Sequence, residues 1–358
     1  MSARPRLTVD LAALADNHRR LRERAPTAEV AAVVKADGYG LGMAAVARTL
    51  HGAGARTFFV ADVEEAHALQ AILPEVAVYV LAGFAPGAEA AFRGTALRPV
   101  LNTPEQVRAF ARTAFERPLP AALQVDSGMT RLGIDPSALD DLAAVLPRLE
   151  ITRLVSHLAT ADAPDPSPCD AQRRRFEAAR ARLPGVRSSL ANSAGMFLGP
   201  EFHYDLCRPG IAVCGGNPTP GRANPMAPVV ELDAAILQVH EVAEDVRVGY
   251  GGTYEAGAGS RIATAAIGYA DGLLRCVGNV ATALVAGVEV PVAGRVSMDL
   301  VGLDVTAVPP DSFGEGARVK LIWGPDGVDR LAAAAGTIPY EVLVRLGPRV
   351  ERRYVGGV

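Results

Sequence analysis

Much that would narrow a function at a glance is missing. Only four of the 358 residues are cysteines (Cys169, Cys207, Cys214 and Cys276), and none stands in a C-x-x-C pair. No disulfide framework and no metal site are expected, and the pattern suits a reducing compartment. Charge of either sign is not in excess: 36 Lys and Arg against 39 Asp and Glu give a formal net charge of −3. Nucleic acid and anionic membranes are therefore poor candidates for the main partner. No apolar run approaches the roughly 18 residues of a membrane span. The start, "MSARPRLTVDL", lacks the apolar stretch of a secretory leader, so a cytoplasmic location is expected. No low-complexity tract or long charge run interrupts the chain.

What is present is a rhythm. Hydrophobic residues make up 49%, enough for a large core. Over the first 215 or so residues, short apolar runs alternate with Ala/Leu/Arg-rich helical stretches. The runs are "EVAAVVKA" (29–36), "TFFVAD" (57–62), "VAVYVLAG" (76–83), "LRPVLN" (97–102), "AALQVDS" (121–127), "ITRLVSHL" (151–158), "SSLANS" (188–193) and "DLCRPGIAVC" (205–214). Helical stretches between them include "MAAVARTLHGAG", "EEAHALQAIL", "PEQVRAFARTAF" and "CDAQRRRFEAARARL". Eight such units predict an α/β fold, a parallel (β/α)8 barrel of the TIM type. An open doubly wound sheet is the alternative, but no G-x-G-x-x-G follows the first strand. After the Pro/Gly/Asn-rich stretch 215–228 the texture becomes β-rich, which predicts a barrel domain over 1–226 and a β-rich C-terminal domain over 227–358.

In a parallel barrel, chemistry sits at the C-terminal ends of the strands. Lys35 ends the first run, with Tyr39 just beyond. Asp126 ends the fifth, followed by Arg131. His157 ends the sixth, and Asn192 and Ser193 end the seventh. Arg208 and Gly210 lie in the eighth. Taken singly, the lysine reads as a solvated charge, the histidine as structural and the glycine as a turn. Their convergence on one mouth changes the reading. The loops after strands seven and eight often hold phosphate, and "NSAG" and "RPGI" offer a hydroxyl and backbone amides there. A lysine beside a phosphate pocket suggests pyridoxal 5'-phosphate (PLP) held as a Schiff base.

The motifs "VVKADGYGLG", "VDSGMTRLG", "SHLATAD", "ANSAG" and "RPGI" resemble those of alanine racemases. In the second half "GYGGTYEA", "IGYADGLLR", "GRVSMD" and "IPYEV" continue the resemblance in the family's order, over nearly the whole chain. The resemblance implies a PLP-binding barrel, a following β-domain joined by the N-terminal strand (about 5–11), and a homodimer with shared sites. It implies Lys35 as the Schiff-base lysine and one base, and Tyr269 of the partner subunit as the opposing base. Arg208 would face the pyridine nitrogen, and His157 would link Tyr269 to Arg208. Tyr39, Asn192, Ser193, Gly210, Ile211 and Tyr340 would hold the cofactor, its phosphate above all. Arg131 and the Met298 backbone would bind the substrate carboxylate.

These residue types suit racemisation between L- and D-alanine, the family's source of D-alanine for the bacterial wall. A proton leaves one face of Cα and another arrives on the opposite face, so two bases are needed. Arginine stays protonated, so Arg208 cannot give a pyridine nitrogen a proton and should leave the ring a weaker electron sink. One position departs from the family: Gln124 stands where many members have a carbamylated lysine, leaving the bracing of Arg131 open to the glutamine amide or to a bound anion. Leu41 replaces a common histidine. A serine or broad-specificity racemase is the nearest alternative, because a methyl and a hydroxymethyl differ by only ~1–3 kcal/mol in a pocket. A non-catalytic PLP-binding protein is another, and Tyr269 in an intact "GYADG" argues against it.

Overall fold

The computed structural model describes residues 4–113 and 119–357. Eight parallel strands succeed one another in sequence order. They are Glu29–Val30 with Ala32–Val33, Thr57–Val60, Ala77–Val80, Leu97–Leu101, Pro120–Gln124, Glu150–Val155, Arg187–Ser189 and Leu206–Cys207. The ring closes where Leu206 and Cys207 pair in parallel with Glu29 and Val30. Asp205 N to Ser188 O (3.1 Å) and Arg208 N to Ala191 O (2.9 Å) join the seventh strand to the eighth.

Both faces of these strands are buried, which is why they read as continuous apolar runs. Ala31, Phe59, Tyr79, Val100, Ala122 and Val155 form one cluster inside the ring. Their neighbours, such as Ala32, Phe58, Val78, Leu101 and Leu123, belong to the core shared with the helices. The two-residue period separates these faces. Helix Leu11–Arg24 starts on an Asp10 cap that accepts from Ala13 N at 3.0 Å, and buries Leu14, Asn17, His18 and Leu21 along one stripe.

The predicted barrel is present, with local differences. The run 205–214 is strand only at Leu206–Cys207. Pro209 has no N–H for a ladder, and Ser193 Oγ accepts from the N–H groups of Gly210 and Ala212 instead. The third unit keeps only Glu89–Phe92 as helix, and 3-10 turns over Pro136–Leu142 and Leu146–Arg148 stand for the fifth. Helix Pro104–Arg112 ends before the predicted 115; positions 114–115 lie outside the described residues.

Val230–Glu241 is the long strand of the second sheet, pairing with Arg6–Asp10, Arg261–Ala265 and Arg318–Ile322. Arg6–Asp10 also runs parallel to Glu351–Val355. Two helices, Gly327–Ala334 and Pro339–Arg345, follow the strand Arg318–Ile322 and lead back toward the barrel mouth. Among the described residues no helix is long and apolar enough to cross a membrane.

Candidate active site

A cavity of about 550 Å³ opens at the C-terminal ends of the barrel strands. Lys35, Tyr39, Arg131, His157, Asn192, Ser193, Arg208, Gly210 and Tyr340 all line it. Three sequence-predicted residues do not: Ile211, Tyr269 and Met298. Ile211 is buried, with its side chain against Gly216.

Lys35 follows the first strand and begins an unusual turn. Ala36, Asp37, Gly38, Tyr39 and Gly40 all have positive φ, between 53° and 77°. Three of the five carry a Cβ, and each such residue costs roughly 1–2 kcal/mol. The turn is bonded within itself, Gly40 N donating to Ala36 O at 2.8 Å and Gly42 N to Asp37 O at 2.9 Å. This winding brings both Lys35 and Tyr39 to the cavity wall. Burial, then the Arg131 guanidinium, push the Lys35 amine below its ordinary pKa, with Glu65 opposing.

Arg208 is 7% exposed and has no carboxylate within ion-pair distance among the described residues. Its Nε donates to Ser189 Oγ at 2.8 Å, and its Nη2 donates to the carbonyls of Ser156 and Leu190. Burial pulls its pKa down to about 10, so it stays cationic at neutral pH. Beside it, His157 is driven to about 3 by burial and then by Arg208, Arg131 and Lys35, so it is neutral. Asn192 Oδ1 accepts from Gly195 N, which turns the amide N–H toward His157 Nε2 at 3.5 Å. That assigns the imidazole proton to Nδ1. Among the described residues no hydrogen bond links His157 to Arg208 or Tyr269 within the chain.

Opposite lies a set of hydroxyls. The Tyr39 and Tyr340 rings are 5.9 Å apart between centroids, and the Tyr340 hydroxyl meets Ser193. Burial, with each phenol beside other acidic groups, raises the pKa of both, so both keep their protons as donors. Gly210 makes this approach feasible: a Cβ there would lie 2.0 Å from Tyr39 Oη.

The remaining wall is open. Asp126 Oδ1 and Oδ2 accept from the N–H groups of Gly128, Met129 and Thr130 and fold the loop that presents Arg131. Burial would raise the Asp126 pKa, but these N–H groups hold it below the usual carboxylate value. Arg131 is exposed and has no carboxylate partner among the described residues. Gln124 Nε2 donates to Leu132 O at 3.1 Å, bracing the same loop by its backbone. Tyr269 is 43% exposed and Met298 54%. Backbone bonds bring them together, Tyr269 N to Ser297 O (3.0 Å) and Ala270 N to Met298 O (2.9 Å), on a surface away from their own chain's cavity.

Sequence reasoning missed Phe59, whose ring lines the cavity and lies 5.9 Å from the Arg208 guanidinium carbon. It also missed Glu65, which accepts from the N–H groups of Ala36 (2.6 Å) and Ala61 (2.8 Å) beside Lys35. Phe59 had a signal in the strand alternation; Glu65 sits in a helix and had none.

The chain is similar to known proteins over nearly its whole length. Residues 9–218 match the family model for the alanine racemase N-terminal domain and residues 229–354 that for the C-terminal domain. An alanine racemase of Rhodospirillum rubrum is 50% identical over 364 residues, covering 98% of this chain and 96% of that protein. A catabolic alanine racemase of Mesorhizobium japonicum is 45% identical over 357 residues, covering 98% and 93%. Among solved structures, alanine racemase from Bartonella henselae, with covalently bound pyridoxal phosphate, superposes with a TM-score of 0.92 at 36% identity, covering 99% and 100%. With both domains matched, the chain belongs to the alanine racemase family.

Proposed function

We propose that the protein interconverts L- and D-alanine by a PLP-dependent two-base mechanism. One observation carries the reading: a buried arginine, a half-buried lysine and three neutral hydroxyls enclose a single cavity. These residues fit PLP. Lys35 offers an amine of lowered pKa, Arg208 a cation without a carboxylate partner, and Tyr39, Tyr340 and Ser193 a donor set suited to a phosphate. Gly210 leaves space that any side chain would fill. When bound, the cofactor supplies an electron sink that loosens the substrate's α-proton.

The chain's own groups do the rest. Lys35 Nζ moves a proton at one face of the substrate Cα. Tyr269 Oη of the partner subunit serves the other face, with the Met298 backbone beside it. Arg131 binds the carboxylate. Neutral His157 with Asn192 orients the wall next to Arg208. Arg208 keeps its proton, so it holds the ring nitrogen unprotonated and limits side reactions. We take Ile211, next to Gly210 and buried, as a further residue of the phosphate cradle.

A homodimer follows from the same reading, because Tyr269 is exposed and lines no part of its own chain's cavity. We take 1–226 as the cofactor-binding barrel and 227–358 as the domain that supplies Tyr269. We take the enzyme to work in the cytoplasm, making D-alanine for peptidoglycan.

Borohydride reduction of the yellow protein is expected to fix the cofactor on Lys35, and L-alanine in heavy water to gain deuterium at Cα as it racemises. Mixed subunits carrying Lys35→Ala and Tyr269→Phe are expected to regain one working site per dimer. No label at Lys35 would remove the cofactor reading; no recovery after proven subunit exchange would remove the shared site.

A further inference from the structure

The left-handed turn after Lys35 is held from outside by the last strand of the chain. Arg352, in Glu351–Val355, donates from Nε (3.1 Å) and Nη2 (3.0 Å) to Gly40 O. The same guanidinium donates to the carbonyls of Leu346, Gly347 and Val350. Leu346 caps the C-terminal end of helix Pro339–Arg345, where a cation also meets the negative end of the helix dipole. That helix carries Tyr340. Two residues on, Tyr354 Oη donates to Leu41 O at 3.0 Å. This contact needs glycine at position 42, where a Cβ would lie 2.0 Å from the Tyr354 oxygen.

We propose that Arg352 is a positioning residue for the cofactor cradle: it joins the turn bearing Lys35 and Tyr39 to the end of the helix bearing Tyr340. The proposal rests on the reading that the cavity holds PLP. Tyr39 and Tyr340 enter the cavity from segments some 300 residues apart in sequence, and Arg352 contacts the backbone of both segments. Five residues of positive φ form a conformation that relaxes unless the surroundings hold it. Among the described residues the hydrogen bonds of the Arg352 guanidinium all go to carbonyls, and no carboxylate lies within ion-pair distance of it. Its planar fork spans four carbonyl oxygens, which a lysine ammonium cannot reproduce.

The test compares holoenzymes of wild type, Arg352→Met, Arg352→Lys and Arg353→Met, the last an exposed neighbour on the same strand. Hydrogen exchange of amides 36–42, the PLP dissociation constant, the kcat and KM for alanine, and the melting temperature are measured together. In Arg352→Met, exchange at Gly40 and Gly42 and the PLP dissociation constant are expected to rise about tenfold. At saturating cofactor kcat falls while KM for alanine stays within about twofold, because Arg131 sits on a different loop. Arg352→Lys recovers less than half of the loss, and Arg353→Met matches wild type. A purely structural role would lower the melting temperature and leave cofactor affinity and exchange at 36–42 unchanged, and that result overturns the proposal. So does an equal shift in Arg353→Met. Should Arg352→Met not fold, Tyr354→Phe, which loses only the bond to Leu41 O, is expected to speed exchange at 36–42 about threefold, and no change there counts against the clamp. Wild type that binds no PLP would instead defeat the reading of the cavity.

Discussion

The two sides of the cavity are built differently. On the cradle side, Arg208, Ser193, Tyr39 and Gly210 are buried, and Arg208 Nε and Nη2 and Ser193 Oγ already have partners inside the chain. On the substrate side, Arg131 is exposed without a carboxylate partner among the described residues, while Tyr269 and Met298 lie at the surface of the other domain. On the proposed reading, the site for a resident cofactor is finished by one subunit, and the site through which substrate comes and goes is left for a second subunit and the substrate to complete.

The sharpest break in this contrast is at the two proposed bases. Lys35→Ala and Tyr269→Phe are each expected to lower racemisation by about 10³-fold or more. They should differ in everything else. Lys35→Ala loses the covalent cofactor signal, whereas Tyr269→Phe keeps it and keeps cofactor affinity. Absorbance and borohydride labelling beside activity check this, and a Tyr269→Phe enzyme that loses its cofactor would erase the division between the sides.

Gly210→Ala should strike the cradle alone. The new Cβ would meet Tyr39 Oη at 2.0 Å, and overpacking of this kind costs about 1–3 kcal/mol. Read as cofactor affinity, that is about five- to 150-fold weaker binding, with KM for alanine little changed at saturating PLP. An unaltered dissociation constant would mean that the Tyr39 hydroxyl can move aside freely.

His157 gives a pH test on stability. Burial, then Arg208, Arg131 and Lys35, hold its folded pKa at about 3, below the ordinary imidazole value near 6.5. The unfolded chain therefore binds a proton that the folded chain refuses between those two values. The stability that neutral His157 allows is intact above about pH 6.5 and is lost as pH falls toward 3, by up to about 1.4 kcal/mol per pH unit. Denaturant unfolding of cofactor-free wild type and His157→Gln across that window should show the shallower slope in the variant. Equal slopes would place His157 in contact with water.

The barrel was legible because buried parallel strands leave continuous apolar runs, and because residues ending those runs share one face. Lys35, His157, Ser193 and Arg208 came to one cavity on that logic. The eighth strand was read too long, since apolar Ile211, Ala212 and Val213 follow Pro209 without joining the ladder. Helix Pro339–Arg345 is too short to leave a period in the sequence, so Tyr340 was found only through family likeness. The positive φ run at 36–40 was invisible because Ala36, Asp37 and Tyr39 do not announce it as glycines would. Contacts made across the chain, such as Arg352 with Gly40, leave no local trace at all.

The smallest effect is expected at Gln124. Gln124 is buried and donates one neutral hydrogen bond to Leu132 O, next to Arg131, so it braces the loop and leaves the guanidinium without a countercharge. Gln124→Met keeps the volume and removes that bond, which is worth about 0.5–1.5 kcal/mol. With Arg131 on the substrate carboxylate, as proposed, the loss should appear as a rise of about two- to tenfold in KM for alanine with kcat nearly unchanged. Cofactor affinity should not move, because no cradle residue bonds to Gln124. A fall in kcat with constant KM would mean that position 124 sets the geometry of the reacting atoms, and that the two sides of the cavity are coupled through the fifth strand.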